Sequence, residues 1–259
     1  MKSILQIPIL LLFFSGCSDS KMEDRPFVFP PEWESHQAVW IAVNDQWGDP
    51  ESARKQIDVR LQLIEVLHRY VPVKLLTTSD SLASAFLDDL YERSVDTSQI
   101  RTIVYPETTY FLRDPGPIFL SNGKELKMAN WQGTDSSKVE PGSTTLRKLV
   151  DDSLAVRFSY EVQNSPLRFD GGGIVVNNYS AMSIKDYAVR NNEAKFSIEE
   201  IENEILNLYG KKQIIWLNGV PLADTKGLKV DNYWGYAPNG HVDAVARFAN
   251  DSTILVTTI

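Results

Sequence analysis

Three short segments set an acid or an imidazole beside glycine or proline where a loop runs into an apolar strand: FLRDPGPIFL (111–120), RFDGGGIVVNN (168–178) and NGHVDAVARF (239–248). His241 can exchange a proton near neutral pH, and Asp114, Asp170 and Asp243 bring carboxylates that could orient it or hold a cation. If 241–248 is a strand, His241, Asp243, Val245 and Arg247 share one face, and the apolar Val242, Ala244, Ala246 and Phe248 share a buried one. The imidazole and the Asp243 carboxylate would then stand about 7 Å apart at their Cα atoms, two strand rises. Such an edge suits catalysis but needs a nucleophile or a metal. Taken singly, each motif has a plain structural reading: Arg113–Asp114 as a turn ion pair, Asp170–Gly171 as a bend, His241 as a satisfied loop histidine. Taken together, side chains at several strand ends can converge on one pocket.

The rest of the chain narrows what could complete the set. Cys17 is the sole cysteine, which excludes an internal disulfide and a cysteine zinc site. The three histidines are His36, His68 and His241, and no H-E-x-x-H occurs, so a histidine metal cluster has little to draw on. His68 belongs to a helical pattern (Ile57, Leu61, Ile64, Leu67) and reads as a helix-end histidine. Gly171 to Gly173 are not followed by G-x-G-x-x-G or G-K-[ST], and a glycine run entering a strand fits close backbone approach better than a phosphate cradle. There is no G-x-S-x-G elbow. No metal or cofactor is therefore expected.

The N-terminus, MKSILQIPILLLFFSGC, has Lys2, an apolar run from Ile4 to Phe14 and a small-residue ending. The run is too short to span a bilayer and has the layout of an export signal. Its FSGC ending is similar to a bacterial lipobox, which would make 1–16 a lipoprotein signal peptide and Cys17 the lipidated residue; the alternative is an ordinary signal peptide with an incidental cysteine. SDSKMEDR reads as a polar tether over 17–25. The expected location is outside the cytoplasm, periplasmic or at the cell surface, with membrane contact only through the lipid. Removing Lys2 from the 26 basic residues leaves 25 against 34 acidic ones, a net charge of −9. That makes nucleic acid a poor partner.

No linker interrupts 26–259, which reads as one α/β domain of 259-residue-chain size sufficient for a large core. Strands are expected at 37–43, 72–78, 100–106, 154–160, 174–178 and 213–217, with helices at 51–70, 81–94 and 143–151. Asn122-Gly123 signals a two-residue hairpin. SIEEIENEILNLYG carries a capping box from Ser197 to Glu200, an apolar face of Ile198, Ile201, Ile205 and Leu208, and Gly210 as a stop. The final DSTILVTTI halts inside an apolar run, as expected of a chain cut short.

The motifs in this order resemble the agmatine deiminase and Porphyromonas-type peptidylarginine deiminase family. PPEWESHQAVWIAV (30–43) is similar to its P-x-E-W-x-x-H-x-x-x-W segment, and FLRDPGP, ANWQG, FDGGG, the segment RNNEAKFSIEEIENEILNLYG (190–210) with IIWL, and GHVDAVARF follow. The resemblance spans 26–259 and implies a pentein, a five-bladed α/β propeller, here without its last blade. It implies hydrolysis of a guanidino group, in agmatine or in an arginine-containing peptide, to a ureido group and ammonia. Asp114 and Asp243 would clamp the guanidinium, and His241 would be the acid and base. Asp170 stands where the family has a glutamate, one methylene longer, and Phe111 where agmatine deiminases commonly have tryptophan. The segment between IIWL and GHVD is longer than usual, so Tyr233, Trp234 and Tyr236 either line the pocket mouth or pack within a surface insertion. The family's nucleophilic cysteine lies in a C-terminal segment beyond Ile259, and Cys17 cannot replace it. A guanidinium-binding lipoprotein without turnover is the alternative.

Overall fold

The computed structural model describes residues 25–45, 49–106, 108, 111–131, 150–192, 195–220, 229–230, 233–234 and 240–257. The export signal, Cys17, the 132–133 end of ANWQG and Tyr236 lie outside the described residues.

The first unit is a parallel sheet. Strand β1 (Val39–Val43) pairs with β2 (Val73–Thr77), and β2 with β3 (Ile100–Val104). Parallel neighbours need a crossover, supplied by α1 (Pro50–Leu67) and α2 (Asp80–Glu92). Asp49 caps α1 by accepting from the backbone N–H groups of Glu51 and Ser52, with Pro50 starting the helix. Leu61 and Ile64 face inward beside Val43, Leu75, Phe86 and Leu90. His68 ends α1.

Two further units share a different plan, an antiparallel hairpin followed by a helical crossover to a parallel third strand. In the first, β4 (Ile118–Ser121) and β5 (Leu126–Trp131) pair antiparallel, and α3 (Val150–Phe158) leads to β6 (Val162–Ser165) parallel to β5. The hairpin forms as expected, but its connection is four residues, 122–125, rather than two. Asn122 Oδ1 accepts from the N–H groups of Lys124 and Glu125, and Gly123 takes φ +88°, so the asparagine builds a wider turn than the dipeptide suggests. The strand expected at 154–160 is instead the end of α3. LAVRF alternates on paper, yet the helix buries Leu154 and Ala155 and leaves Val156 83% exposed.

The next unit has β7 (Ile174–Val176) and β8 (Ser180–Ile184) antiparallel, then α4 (Lys185–Asn192), α5 (Ile198–Tyr209) and β9 (Gln213–Leu217) parallel to β8. The capping box of α5 is formed in both directions, and Gly210 adopts the left-handed conformation at φ +63°. Strand β8 and helix α4 went unread because SAMSIKDYAVRNN gives neither a clean alternation nor a cap. A short pair, β10 (Lys229–Val230) and β11 (Tyr233–Trp234), precedes a last antiparallel hairpin of β12 (Ala246–Asn250) and β13 (Thr253–Val256). This pair repeats the opening half of the two preceding units. Leu255 and Val256 are 60% and 65% exposed.

One apolar cluster joins the second and third units to the loop before β12, through Trp131, Phe169, Ile174, Tyr187, Tyr209 and Val242. Inside it Trp131 Nε1 donates to the Tyr209 hydroxyl at 2.9 Å. Among the described residues no helix is long and apolar enough to cross a membrane.

Candidate active site

The turn before β4 carries Arg113 and Asp114, the turn before β7 carries Asp170 and three glycines, and the turn before β12 carries His241 and Asp243. All three are the lead-ins to hairpin units, so equivalent places in the fold bring distant residues together. His241 and Asp243 are not on a strand as alternation suggested. Val242–Ala244 forms a 3-10 turn closed by the Val245 N–H donating to Val242 O, and the strand begins only at Ala246. Gly240 at φ +107° introduces this turn, and Val242 anchors it in the core while Ala244 faces out.

His241 is only 8% exposed. Its Nδ1 lies 3.5 Å from Asp114 Oδ1 and its Nε2 lies 3.5 Å from Asp170 Oδ2. The imidazole is thus held edge to edge between two carboxylates. The Asp170 side chain, although short, reaches this distance from the turn before β7. Burial alone would drive the proton off His241, but the hydrogen bond to Asp170 and the charges of Asp114, Asp170 and Asp243 outweigh it and raise the imidazole above its ordinary value. Burial also raises Asp114, opposed by His241 and reinforced by the like charges of Asp170 and Asp243.

The glycine run forms the floor of this cluster. The Gly172 N–H donates to Asp114 Oδ1 at 3.0 Å. A Cβ on Gly172 would sit 2.5 Å from His241 Nδ1, 2.8 Å from Asp114 Oδ1 and 3.0 Å from Asp243 Oδ1. One on Gly171 would meet Arg113 O at 2.1 Å, and one on Gly173 would meet the Tyr187 ring at 2.5 Å. The expected close backbone approach is therefore to the functional side chains themselves, although the three glycines form a 3-10 turn rather than the start of a strand.

Two parts of the cluster were missed in the sequence. Tyr187, from α4, donates its hydroxyl to Asp170 Oδ2 at 3.2 Å, accepts from the Asp170 N–H at 3.0 Å and stands edge-on to His241 with ring centroids 5.5 Å apart. Burial and the neighbouring Asp170 carboxylate push its hydroxyl pKa up. The second part is Glu32 with Arg113 and Arg247. Arg113 does not pair with its neighbour Asp114 but reaches Glu32 and Asp243, and Arg247 does the same from β12. Only a buried tyrosine's need for a partner, and the glutamate in PPEWESH, could have hinted at either.

A separate groove of about 640 Å³, lined by His36, Trp40, Lys74, Phe119 and Tyr160 among others, contains none of these groups.

The family model for Porphyromonas-type peptidyl-arginine deiminase matches residues 28–259. A Streptomyces coelicolor homologue is 28% identical over 246 residues, 89% of this chain and 65% of that protein. The agmatine deiminase of Medicago truncatula is 23% identical over 253 residues, 89% of this chain and 61% of its own. The C. jejuni agmatine deiminase structure superimposes with a TM-score of 0.68 at 18% identity, covering 91% of this chain and 64% of that one. The chain therefore spans less than two thirds of the length of these relatives. Its α/β architecture is that of the agmatine deiminase structures, and the chain belongs to the Porphyromonas-type peptidyl-arginine deiminase family.

Proposed function

We propose that the whole protein is an amidine hydrolase, converting a guanidino group to a ureido group and ammonia, and that these residues supply all of its site except the nucleophile. The observation that carries this reading is the buried His241 with a carboxylate within 3.5 Å of each ring nitrogen. A guanidinium is a planar fork of N–H donors, matched by carboxylates on either side. Asp114 and Asp243 converge on Gly172, whose missing side chain lets both carboxylates and His241 gather at one point of the backbone.

In the reaction a thiolate adds to the guanidinium carbon. The C–N bond to one amino group breaks as His241 gives that nitrogen a proton, and ammonia departs from a covalent amidino-enzyme. His241, now neutral, takes one proton from water, whose oxygen attacks the same carbon; the thiolate is expelled and the remaining hydroxyl proton passes to solvent, leaving the neutral ureido product. The raised proton affinity of His241 favours the first, acidic role. The thiol is assigned to a segment outside the 259 residues, because their sole cysteine is Cys17. In support, a serine-for-cysteine variant of the C. jejuni agmatine deiminase has a structure with substrate bound.

We also read the successive hairpin units as blades of a five-bladed propeller, and 1–16, 17–25 and 26–259 as lipoprotein signal, tether and deiminase domain, with the protein exported and anchored through Cys17. The sole cysteine at position 17 equally favours a second reading, a lipoprotein that binds guanidinium without turning it over. Assaying the whole protein for ammonia and ureido product from agmatine and from arginine peptides decides: product formation lost in His241→Ala supports the hydrolase, and binding without product supports the second reading.

A further inference from the structure

Asp243 is one of four charges that meet here, with Glu32, Arg113 and Arg247. Glu32, from the segment before β1, accepts from Arg247 Nη1 at 2.9 Å on both carboxylate oxygens and also pairs with Arg113 Nη1. The same two arginines also touch the Asp243 carboxylate, but with poorer hydrogen-bond geometry. Arg247 Nη2 is 3.4 Å from Asp243 Oδ2. Arg113 Nε is 2.8 Å from that oxygen, yet this buried N–H is not aligned as a hydrogen bond to it or to any other acceptor. Leaving a buried donor unsatisfied is costly, and turning the guanidinium toward Asp243 would relieve it. What opposes that turn is the pull of Glu32 on the other end of Arg113. Arg247 is further fixed by its Nε donating to the Asp243 backbone carbonyl at 3.1 Å. Burial would raise the Glu32 carboxyl, but the two arginines outweigh it and hold the group below its usual value.

We propose that Glu32 is a positioning residue that shares Arg113 and Arg247 with the Asp243 carboxylate and so keeps part of its negative charge available to a bound cation and to His241. Without Glu32 the two guanidiniums close on Asp243 and neutralise it. The two carboxylates and two guanidiniums cancel as a set, so the field that a substrate meets depends on which carboxylate the arginines serve. This rests on the reading of Asp243 as a substrate clamp, but it is tested without turnover.

The reporter is the imidazole of His241, which faces Asp114, Asp170 and Asp243 and the Tyr187 ring. Its titration is followed by NMR in the 259-residue chain as wild type, Glu32→Gln, Asp243→Asn and the double variant. The expected result is that each single variant lowers the His241 midpoint and that the double variant lowers it no further than Asp243→Asn alone, because Glu32 acts through Asp243. Additive shifts, or no shift in Glu32→Gln, overturn the proposal. If Glu32→Gln does not fold, Glu32→Asp replaces it, keeping the charge but withdrawing it by one methylene. A drop that disappears in the Asp243→Asn background then supports the proposal, and a wild-type midpoint overturns it. Failure of the hydrolase reading would show instead as absent product from the whole protein, with this cycle unaffected.

Discussion

Tyr187 fixes Asp170 from two directions, donating its hydroxyl to the carboxylate at 3.2 Å while accepting from the Asp170 N–H at 3.0 Å. The pair explains how the short Asp170 carboxylate is held toward His241 Nε2: one buried phenol touches both its backbone and its side chain. Tyr187→Phe should therefore reduce kcat/KM of the whole protein on the order of tenfold, the worth of one hydrogen bond to a charged group, with a smaller change in KM. Unchanged kcat/KM would mean that Asp170 needs no such support.

Gly172→Ala should be far more damaging. The added methyl would displace His241, Asp114 and Asp243 at once. Misplacement by about 1 Å can cost on the order of 100-fold in rate. A comparison of kcat/KM with the melting temperature separates this from simple unfolding: activity should collapse while most of the fold persists.

Asp243→Asn should cost more than Asp170→Asn, on the order of 100-fold for the clamp. Loss of the Asp243 charge leaves Arg113 and Arg247 facing an incoming cation, whereas Asp170 acts through the histidine. Equal losses of kcat/KM in the two variants would contradict this order.

The pH dependence follows from two upward shifts, both of which cost stability as pH rises. His241 is raised from about 6.5 in the folded chain, so its contribution to stability is fully present below the unfolded value and fades as pH climbs through the folded one. Wild type should exceed His241→Gln in stability by more at low pH than at high pH. Asp114 is raised from 3.8, so its ionised form is disfavoured by folding and its cost grows as pH rises through the folded value. Asp114→Asn should thus gain stability relative to wild type between acid and neutral pH, measured by denaturant midpoints.

How much of this was legible in the sequence depended on how local the signal is. Helix α5 could be read to the residue because its capping box and Gly210 act within one turn. The three polar turns could also be read, since each marks a loop entering an apolar strand. The helix at Leu154 was misread because five residues of apparent alternation fit a strand as well as a helix, and only the position of the core exposes Val156. Glu32 and Tyr187 escaped because their partners are distant in sequence: Glu32 meets Arg247 across 215 positions. The 3-10 turn at Val242 is a tertiary effect too, set by burial of that one side chain.

The most direct measurement is calorimetric titration of the 259-residue chain with agmatine and, in parallel, with 1,4-diaminobutane, which carries similar charge but no planar guanidinium. The Asp114, Asp243 and His241 cluster predicts saturable one-to-one binding of agmatine, weaker binding of the diamine, and loss of that preference in Asp114→Asn. Equal binding of the two ligands, or agmatine affinity unchanged in Asp114→Asn, would contradict the assignment of this cluster as a guanidinium site.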